Sequence, residues 1–172
     1  GIPCSEKFYD YDENDLSGVH AAQAIGMPEE QVFKTLVARG ERTGINVFCI
    51  PVCEELDLKK AAKAAGDKNM ELVHVKELLN LTGYIRGGCS PIGMKKKYPT
   101  FFDELCLLCE EIALSAGERG HQIIVPPEPI ILTAMPTSVI SVLSWKAKKP
   151  IIRLMRTPMA SAASRPQTQL CA

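Results

Sequence analysis

Lys34 stands between Val32-Phe33 and Thr35-Leu36-Val37, in an apolar segment at a helix-to-strand junction. An ammonium in such a place either snorkels to solvent or points into a polar cavity. The second chemically suggestive stretch is Gly87-Gly88-Cys89-Ser90-Pro91-Ile92-Gly93, three glycines and a proline in seven residues, which must be a shaped loop. Its close-approaching N–H groups from Gly87, Gly88 and Gly93 suit a carbonyl or sugar-phosphate oxygen, and the alternative is a tight connection that holds nothing. A nucleotide-binding P-loop is rejected. Met94 displaces Lys95 by one position from the required lysine, no Ser or Thr follows, and Pro91 removes a donor.

The remaining reactive residue types exclude more than they suggest. His20, His74 and His121 are far apart, without i,i+4 pairing or an acidic partner at motif spacing, so neither a Ser-His-Asp triad nor an HExxH zinc site is signalled. Cys106-Leu107-Leu108-Cys109 has the gap of a zinc or redox pair, and Cys49 with Cys53 makes a second. Leu-Leu inside the gap and no following Gly knuckle favour buried core thiols, so no metal and no cofactor is expected.

The elements that must position these residues follow from local signals. Phe8-Tyr9-Asp10-Tyr11 alternates polar and aromatic residues as a strand does. Ser17 offers an N-cap for a helix over Val19–Ile25 that Gly26 ends, and Pro28 opens a short second helix, Glu29–Val32. Thr35–Ala38 and Ile45–Val52 flank the turn-rich Gly40–Gly44 and read as a β-hairpin. Helices are expected at Leu56–Ala65, before Gly66, and at Val75–Leu81, before Gly83, with a short strand at Met70–Val73 between them. Strands return at Thr100–Phe102, Ile112–Ser115 and His121–Val125, the last two joined by Ala116–Gly120, and a helical turn around Ile130–Ala134 closes the pattern. The irregular order predicts an α/β chain of the α+β kind, a mixed, barrel-like sheet flanked by helices, with no internal repeat.

Composition bounds the class. The chain has 172 residues, 46% hydrophobic and 23% charged, with a formal net charge of zero, as an ordinary globular domain has. No acidic residue follows Glu128, so the last 44 residues carry +6 and the first 128 carry −6. The longest apolar run, Ile130 to Trp145, is broken by Pro136 and falls short of the ~20 residues of a membrane span. Seven cysteines in mostly apolar contexts and no visible signal peptide predict reduced thiols in the cytoplasm. Residues 1–134 are read as one domain. Residues 135–172 are read as a basic tail, disordered from Met155 onward.

Several phrases occur here in one series: Tyr9-Asp10-Tyr11-Asp12, Val32-Phe33-Lys34-Thr35-Leu36-Val37, Leu81-Thr82-Gly83-Tyr84, Gly87–Gly93, Pro99-Thr100-Phe101 and Ser115-Ala116-Gly117-Glu118-Arg119-Gly120. Together, over about residues 2 to 134, they resemble the YbaK family, the trans-acting Cys-tRNA(Pro) deacylases akin to the editing domain of bacterial prolyl-tRNA synthetases. The resemblance implies a compact α/β fold whose pocket takes the aminoacylated 3′ end of tRNA, and deacylation of mischarged tRNA as its activity. It carries the essential role to Lys34 and substrate-binding roles to Tyr9, Ser17, Thr35, Gly87, Gly88, Ser90, Pro91, Gly93, Ser115 and Gly117. It implies aminoacyl-tRNA as partner, prolyl-tRNA synthetase as a second one, and no membrane or metal. In Cys-specific relatives the substrate's own thiol attacks its ester, so the protein supplies position and electrostatics rather than a nucleophile. Lys34 then stabilises developing charge or anchors the terminal phosphate.

Two departures from the family stand out. Ser17 sits where relatives carry an aromatic that walls the pocket, and the helix preceding Ile2-Pro3 in relatives is absent, which suggests a truncated coding region. Two other classes of function compete: a non-catalytic module binding aminoacyl-tRNA or a synthetase, and a metal or redox domain built on Cys106 and Cys109.

Overall fold

The computed structural model describes residues 2–133 and 137–140. In chain order the elements are β1 (Ser5–Phe8), α1 (Gly18–Ile25), β2 (Phe33–Gly40), β3 (Gly44–Pro51), α2 (Leu58–Ala64), β4 (Met70–Leu72), α3 (Val75–Thr82), β5 (Thr100–Asp103), β6 (Ile112–Ser115), β7 (His121–Val125), α4 (Pro127–Thr133) and β8 (Thr137–Ile140). Short 3₁₀ helices at Glu29–Gln31 and Glu104–Leu108 complete the set. The α+β architecture expected from the sequence is present. Among the described residues no helix is long and apolar enough to cross a membrane.

The β2–β3 hairpin is the centre of the fold. It pairs from Phe33↔Pro51 to Gly40↔Gly44, and its turn is fastened by a residue far along the chain. The Asp67 carboxylate accepts hydrogen bonds from the backbone N–H of Arg42 and Thr43, at 2.9 and 2.8 Å, and from the Thr43 hydroxyl at 2.9 Å. β3 is buried from Asn46 to Pro51 and reads as a nearly continuous apolar run, because it lies inside a five-stranded sheet ordered β4-β2-β3-β5-β8 and is covered on both faces. Its Phe48 ring stacks on Phe101 of β5 at 5.0 Å.

The helices end where the capping residues say. Ser17 Oγ accepts from the His20 N–H at the start of α1, and Gly26 closes it in the left-handed conformation at φ 68°. Asp57 caps α2 through the N–H groups of Lys59 and Lys60, and Gly83 closes α3.

A second, three-stranded sheet is ordered β1-β7-β6. The barrel-like expectation is refined here, because the two sheets do not close into a barrel. Among the described residues they join through one parallel bridge, Val32↔Ala113. The outer edge of β2 is paired with β4 over Ala38–Gly40, the Val37 carbonyl accepts one further bond from the Val73 N–H, and the Lys34–Leu36 stretch is left as an open seam.

Local differences from the sequence reading are small. The first strand is Ser5–Phe8, not the aromatic Phe8–Tyr11, because pairing with β7 rather than side-chain alternation defines it. The helix of Glu104–Leu108 and the strand Thr137–Ile140, parallel to β5, were not foreseen, and β8 falls in the segment read as tail. The predicted disorder from Met155 lies outside the described residues.

Candidate functional site

The seam between the sheets is a cavity of about 450 Å³. Four parts of the chain wall it: β2 from Phe33 to Val37, the Tyr9 and Leu16–Val19 stretches, the Arg86–Cys89 loop, and Ser115 with Gln122 from the second sheet. β4 and the start of α3 close it with apolar side chains such as Leu72 and Val75.

Strand geometry decides what β2 offers. The Val32 carbonyl accepts from Val52 on the β3 side, whereas the Val37 carbonyl accepts from Val73 on the β4 side. Because the N–H and C=O of one residue point to the same edge and successive residues alternate, Phe33 and Thr35 present their backbone groups on the edge away from β3. That edge is the cavity wall.

Lys34 resolves the choice left open by its sequence context. It lines the cavity, and its Nζ donates to the Val52 carbonyl at 3.1 Å. Burial lowers the pKa of its ammonium from the ordinary lysine value, offset in part by Cys53, Glu55 and Glu54 nearby.

Six of the sequence-derived candidates meet at this cavity: Lys34, Tyr9, Ser17, Thr35, Gly87 and Ser115. Gly88, Ser90, Pro91, Gly93 and Gly117 do not line it. The reason is packing behind the wall. The Gly88 N–H is already donated to the Ile85 carbonyl at 3.1 Å, and a Cβ on Gly88 would lie 2.9 Å from the Glu118 Cα. Gly93 and Gly117 make room for Tyr84, each with a would-be Cβ 2.9 Å from that ring system. Ser90 Oγ accepts from the Ile92 N–H, and Pro91 is buried. Of the three glycines whose N–H groups were expected to face a ligand, only Gly87 lines the cavity. The other loop residues hold it against the Ala116–Gly120 turn.

Sequence reasoning missed Arg86, Cys89 and Gln122 as lining residues. Gln122 had a readable signal. It shares strand parity with the buried Ile124 on β7, an inward position that an apolar residue would ordinarily hold. It is 6% exposed and stands opposite Ser115 in the β6–β7 register. Ser115 Oγ accepts from the Gly117 N–H at 3.2 Å, which leaves its own hydrogen available to the cavity.

The thiols divide by environment. Cys49, Cys106 and Cys109 are buried in one apolar cluster with Phe33 and Phe102, as expected of core thiols. Burial pushes the Cys106 thiol up to about 12 and Cys49 still higher. Cys4 and Cys53 are exposed instead, so the reading of the Cys49 and Cys53 spacing as two buried core thiols holds for Cys49 and not for Cys53. No group of three or more metal-ligating side chains occurs among the described residues.

Comparison with known proteins places these observations. A family model described as the aminoacyl-tRNA editing domain matches residues 16–131. EbsC of Enterococcus faecalis, assigned as a Cys-tRNA(Pro)/Cys-tRNA(Cys) deacylase, is 48% identical over 130 residues, which span 76% of this chain and 79% of that protein. A solved structure assigned as a trans-editing enzyme for prolyl tRNA synthetase superposes with a TM-score of 0.71 at 26% identity, over 83% of this chain and 87% of that one. A hypothetical protein of known structure shares the fold with a TM-score of 0.74 at 21% identity, over 83% and 92% of the two chains.

Proposed function

The chain belongs to the aminoacyl-tRNA editing domain family, and on that premise we propose that it is an aminoacyl-tRNA deacylase that removes cysteine from mischarged tRNA(Pro) by substrate-assisted ester cleavage. The observation that carries the reading is a lysine ammonium, partly desolvated, in a cavity that has an unpaired strand edge and no histidine-activated nucleophile on its walls.

Such a site suits a reaction in which the substrate brings its own nucleophile. The cysteinyl thiol attacks the ester carbonyl; a C–S bond forms, the bond from the carbonyl to the ribose oxygen breaks, and the thiol proton ends on the released ribose hydroxyl. The products are a cyclic thiolactone and free tRNA. Negative charge collects on the carbonyl oxygen in the transition state. The Lys34 ammonium, with backbone N–H groups at Thr35 and Gly87, would stabilise it there, and each such donor is worth about 3 kcal/mol. The cavity holds the aminoacyl end so that thiol and carbonyl meet, the larger part of what positioning contributes. Tyr9, Ser17 and Ser115 wall the amino-acid side of the cavity in this reading.

The acidic body of the chain supports delivery by prolyl-tRNA synthetase rather than tight capture of free tRNA, and reduced thiols suit work beside the cytoplasmic translation machinery. Binding of free tRNA that stays tight at high salt would overturn the delivery step.

The test is deacylation of Cys-tRNA(Pro) and Ala-tRNA(Pro) by this chain and by Lys34→Ala, with the small product identified. Loss of the Cys ester with thiolactone release, slowed about a hundredfold or more in the variant, is expected. Free cysteine as the first product would make the enzyme a hydrolase and remove the substrate-assisted route. No turnover by folded protein would make the cavity a binding module.

A further inference from the structure

Beside the cavity lies a second hollow, formed by Phe8 to Tyr11 with Arg119 and Gly120. Tyr9 is a wall of both. We propose that this hollow is a stacking platform for an unpaired nucleobase, the one that precedes the terminal nucleotide of the bound tRNA. The proposal rests on the reading of the cavity as the seat of the aminoacylated end.

The aromatic groups here are exposed and held in place, the two properties a stacking surface needs. Phe8 is 70% exposed, at the end of a strand whose other side chains are polar and exposed. Its inner face rests on the His121 ring, at 4.1 Å between centroids and 22° between planes. That imidazole is fixed in turn through Nδ1 by the Glu118 carboxylate at 2.9 Å. Tyr11 is 44% exposed and carries the Arg119 guanidinium 5.9 Å above its ring. Arg119 donates through Nε to the Arg86 carbonyl, on the loop that walls the cavity. Gly120 allows the close approach, since a Cβ there would sit 2.6 Å from the Tyr9 carbonyl oxygen.

The chemistry of the rim selects the occupant. Glu6, Asp10, Glu13 and Glu118 surround the rings, and Arg119 is already shared between the Tyr11 ring and Glu13 at 3.4 Å. Carboxylates repel acidic peptides and keep a phosphate from seating on the rings, so the phosphates that link the stacked nucleotide to its neighbours must lie outside the rim. The carboxylates do not oppose the neutral face of a base, which stacks on aromatic rings and on guanidinium planes alike. Continuity supplies the identity of that base. A terminal nucleotide in the cavity is covalently joined to one more unpaired nucleotide, and the shared Tyr9 wall puts the hollow one step away.

The test measures binding of a hairpin RNA ending in an unpaired ACCA and of the same hairpin with a blunt end, to the intact chain, Phe8→Ala, Phe8→Tyr and Tyr11→Ala. Phe8 is largely solvent-exposed, so its truncation leaves the core untouched, and a thermal melt checks each variant. Phe8→Ala is expected to weaken binding of the ACCA hairpin by roughly fivefold to a hundredfold, with Tyr11→Ala in the same range and Phe8→Tyr close to the intact chain. Because a ring and not a cation is removed, the factor should be the same at about 50 and about 200 mM salt. The platform is overturned by a Phe8→Ala protein that binds the ACCA hairpin as the intact chain does, the outcome if a protein surface covers Phe8 instead. Equal binding of blunt and overhanging hairpins overturns it as well. Failure of the deacylase reading shows separately, as absent ester cleavage with Phe8-dependent hairpin binding retained.

Discussion

Replacing Gly88 with alanine tests whether the loop of Gly87–Gly93 works by its fit against the neighbouring turn. The backbone conformation of Gly88 lies outside the left-handed region, so alanine brings no dihedral strain, only a methyl group. That group would sit 2.9 Å from the Glu118 Cα, 3.0 Å from its carbonyl carbon and 3.2 Å from the Arg119 nitrogen. All three are backbone atoms that cannot swing aside. Ordinary contact requires 3.4 Å or more, so loop and turn must part by about 0.5 Å, an overpacking that costs about 1–3 kcal/mol. At ~2–4 °C per kcal/mol for a domain of this size, Tm should fall by about 2–12 °C. Gly87 and Arg119 move with the wall, and since a 1 Å misplacement costs about a hundredfold in rate, kcat/KM for deacylation should drop about tenfold. Gly44→Ala is the comparison. At φ 72° with nothing within 4 Å of its would-be Cβ, it should lose roughly 1–2 kcal/mol from the dihedral alone and leave kcat/KM unchanged. Melting curves and steady-state rates on the two variants suffice. A Gly88→Ala protein with unaltered Tm and unaltered rate would refute the packing argument.

Three further outcomes follow from the charged and thiol groups. Burial lowers the Lys34 pKa, so the unfolded chain holds that proton more tightly and this group's penalty fades as pH rises between the lowered and the ordinary lysine value; Lys34→Met should therefore lose activity without any loss of Tm at neutral pH, and a clearly lower Tm in thermal melts would contradict this. The hydrogen bonds at the hairpin turn hold the Asp67 carboxyl well below the usual range, so its stabilisation is complete above about pH 4 and is lost as pH falls. Asp67→Asn should lower Tm at neutral pH and flatten its decline in acid, which a pH series of melts reads directly. Iodoacetamide at neutral pH should modify exposed Cys4 first and Cys53 more slowly, because its thiol is pushed up to about 11, chiefly by burial and then by the Glu54 and Glu30 carboxylates. Cys49 and Cys106 should label only in denaturant, and peptide mass spectrometry of the native protein gives the order.

What the sequence made legible was local chemistry. Ser17 and Gly26 bound α1 because capping needs only neighbouring backbone groups, and the hairpin is visible because its turn formers lie between two apolar runs. Lys34 was legible because a charge inside an apolar strand is anomalous. Distant partners were not. Nothing around Asp67 tells that it fastens a turn about 24 residues earlier, and β1 was placed over the aromatic residues because its true partner lies on the far side of the chain. The glycine loop was visible as a loop, but which of its glycines lines the cavity depends on the Glu118–Arg119 backbone packed behind it. Gln122 obeyed the inward parity of its strand and was passed over because its type is polar.

The pairing of β1 with β7 joins Ser5–Phe8 to residues about 115 positions later. On a ribosome adding ~5–20 residues each second, β1 therefore waits about 6 to 23 s for its partner. Through that interval it is an open strand edge, and Glu6 and Lys7 make it a poor template for other chains. Tyr9, whose N–H is held by the Gly120 carbonyl, takes its place only when that turn has formed. The nascent protein thus has no finished pocket until β7 is out, and the cavity between the sheets is among the last features of the fold to come into being.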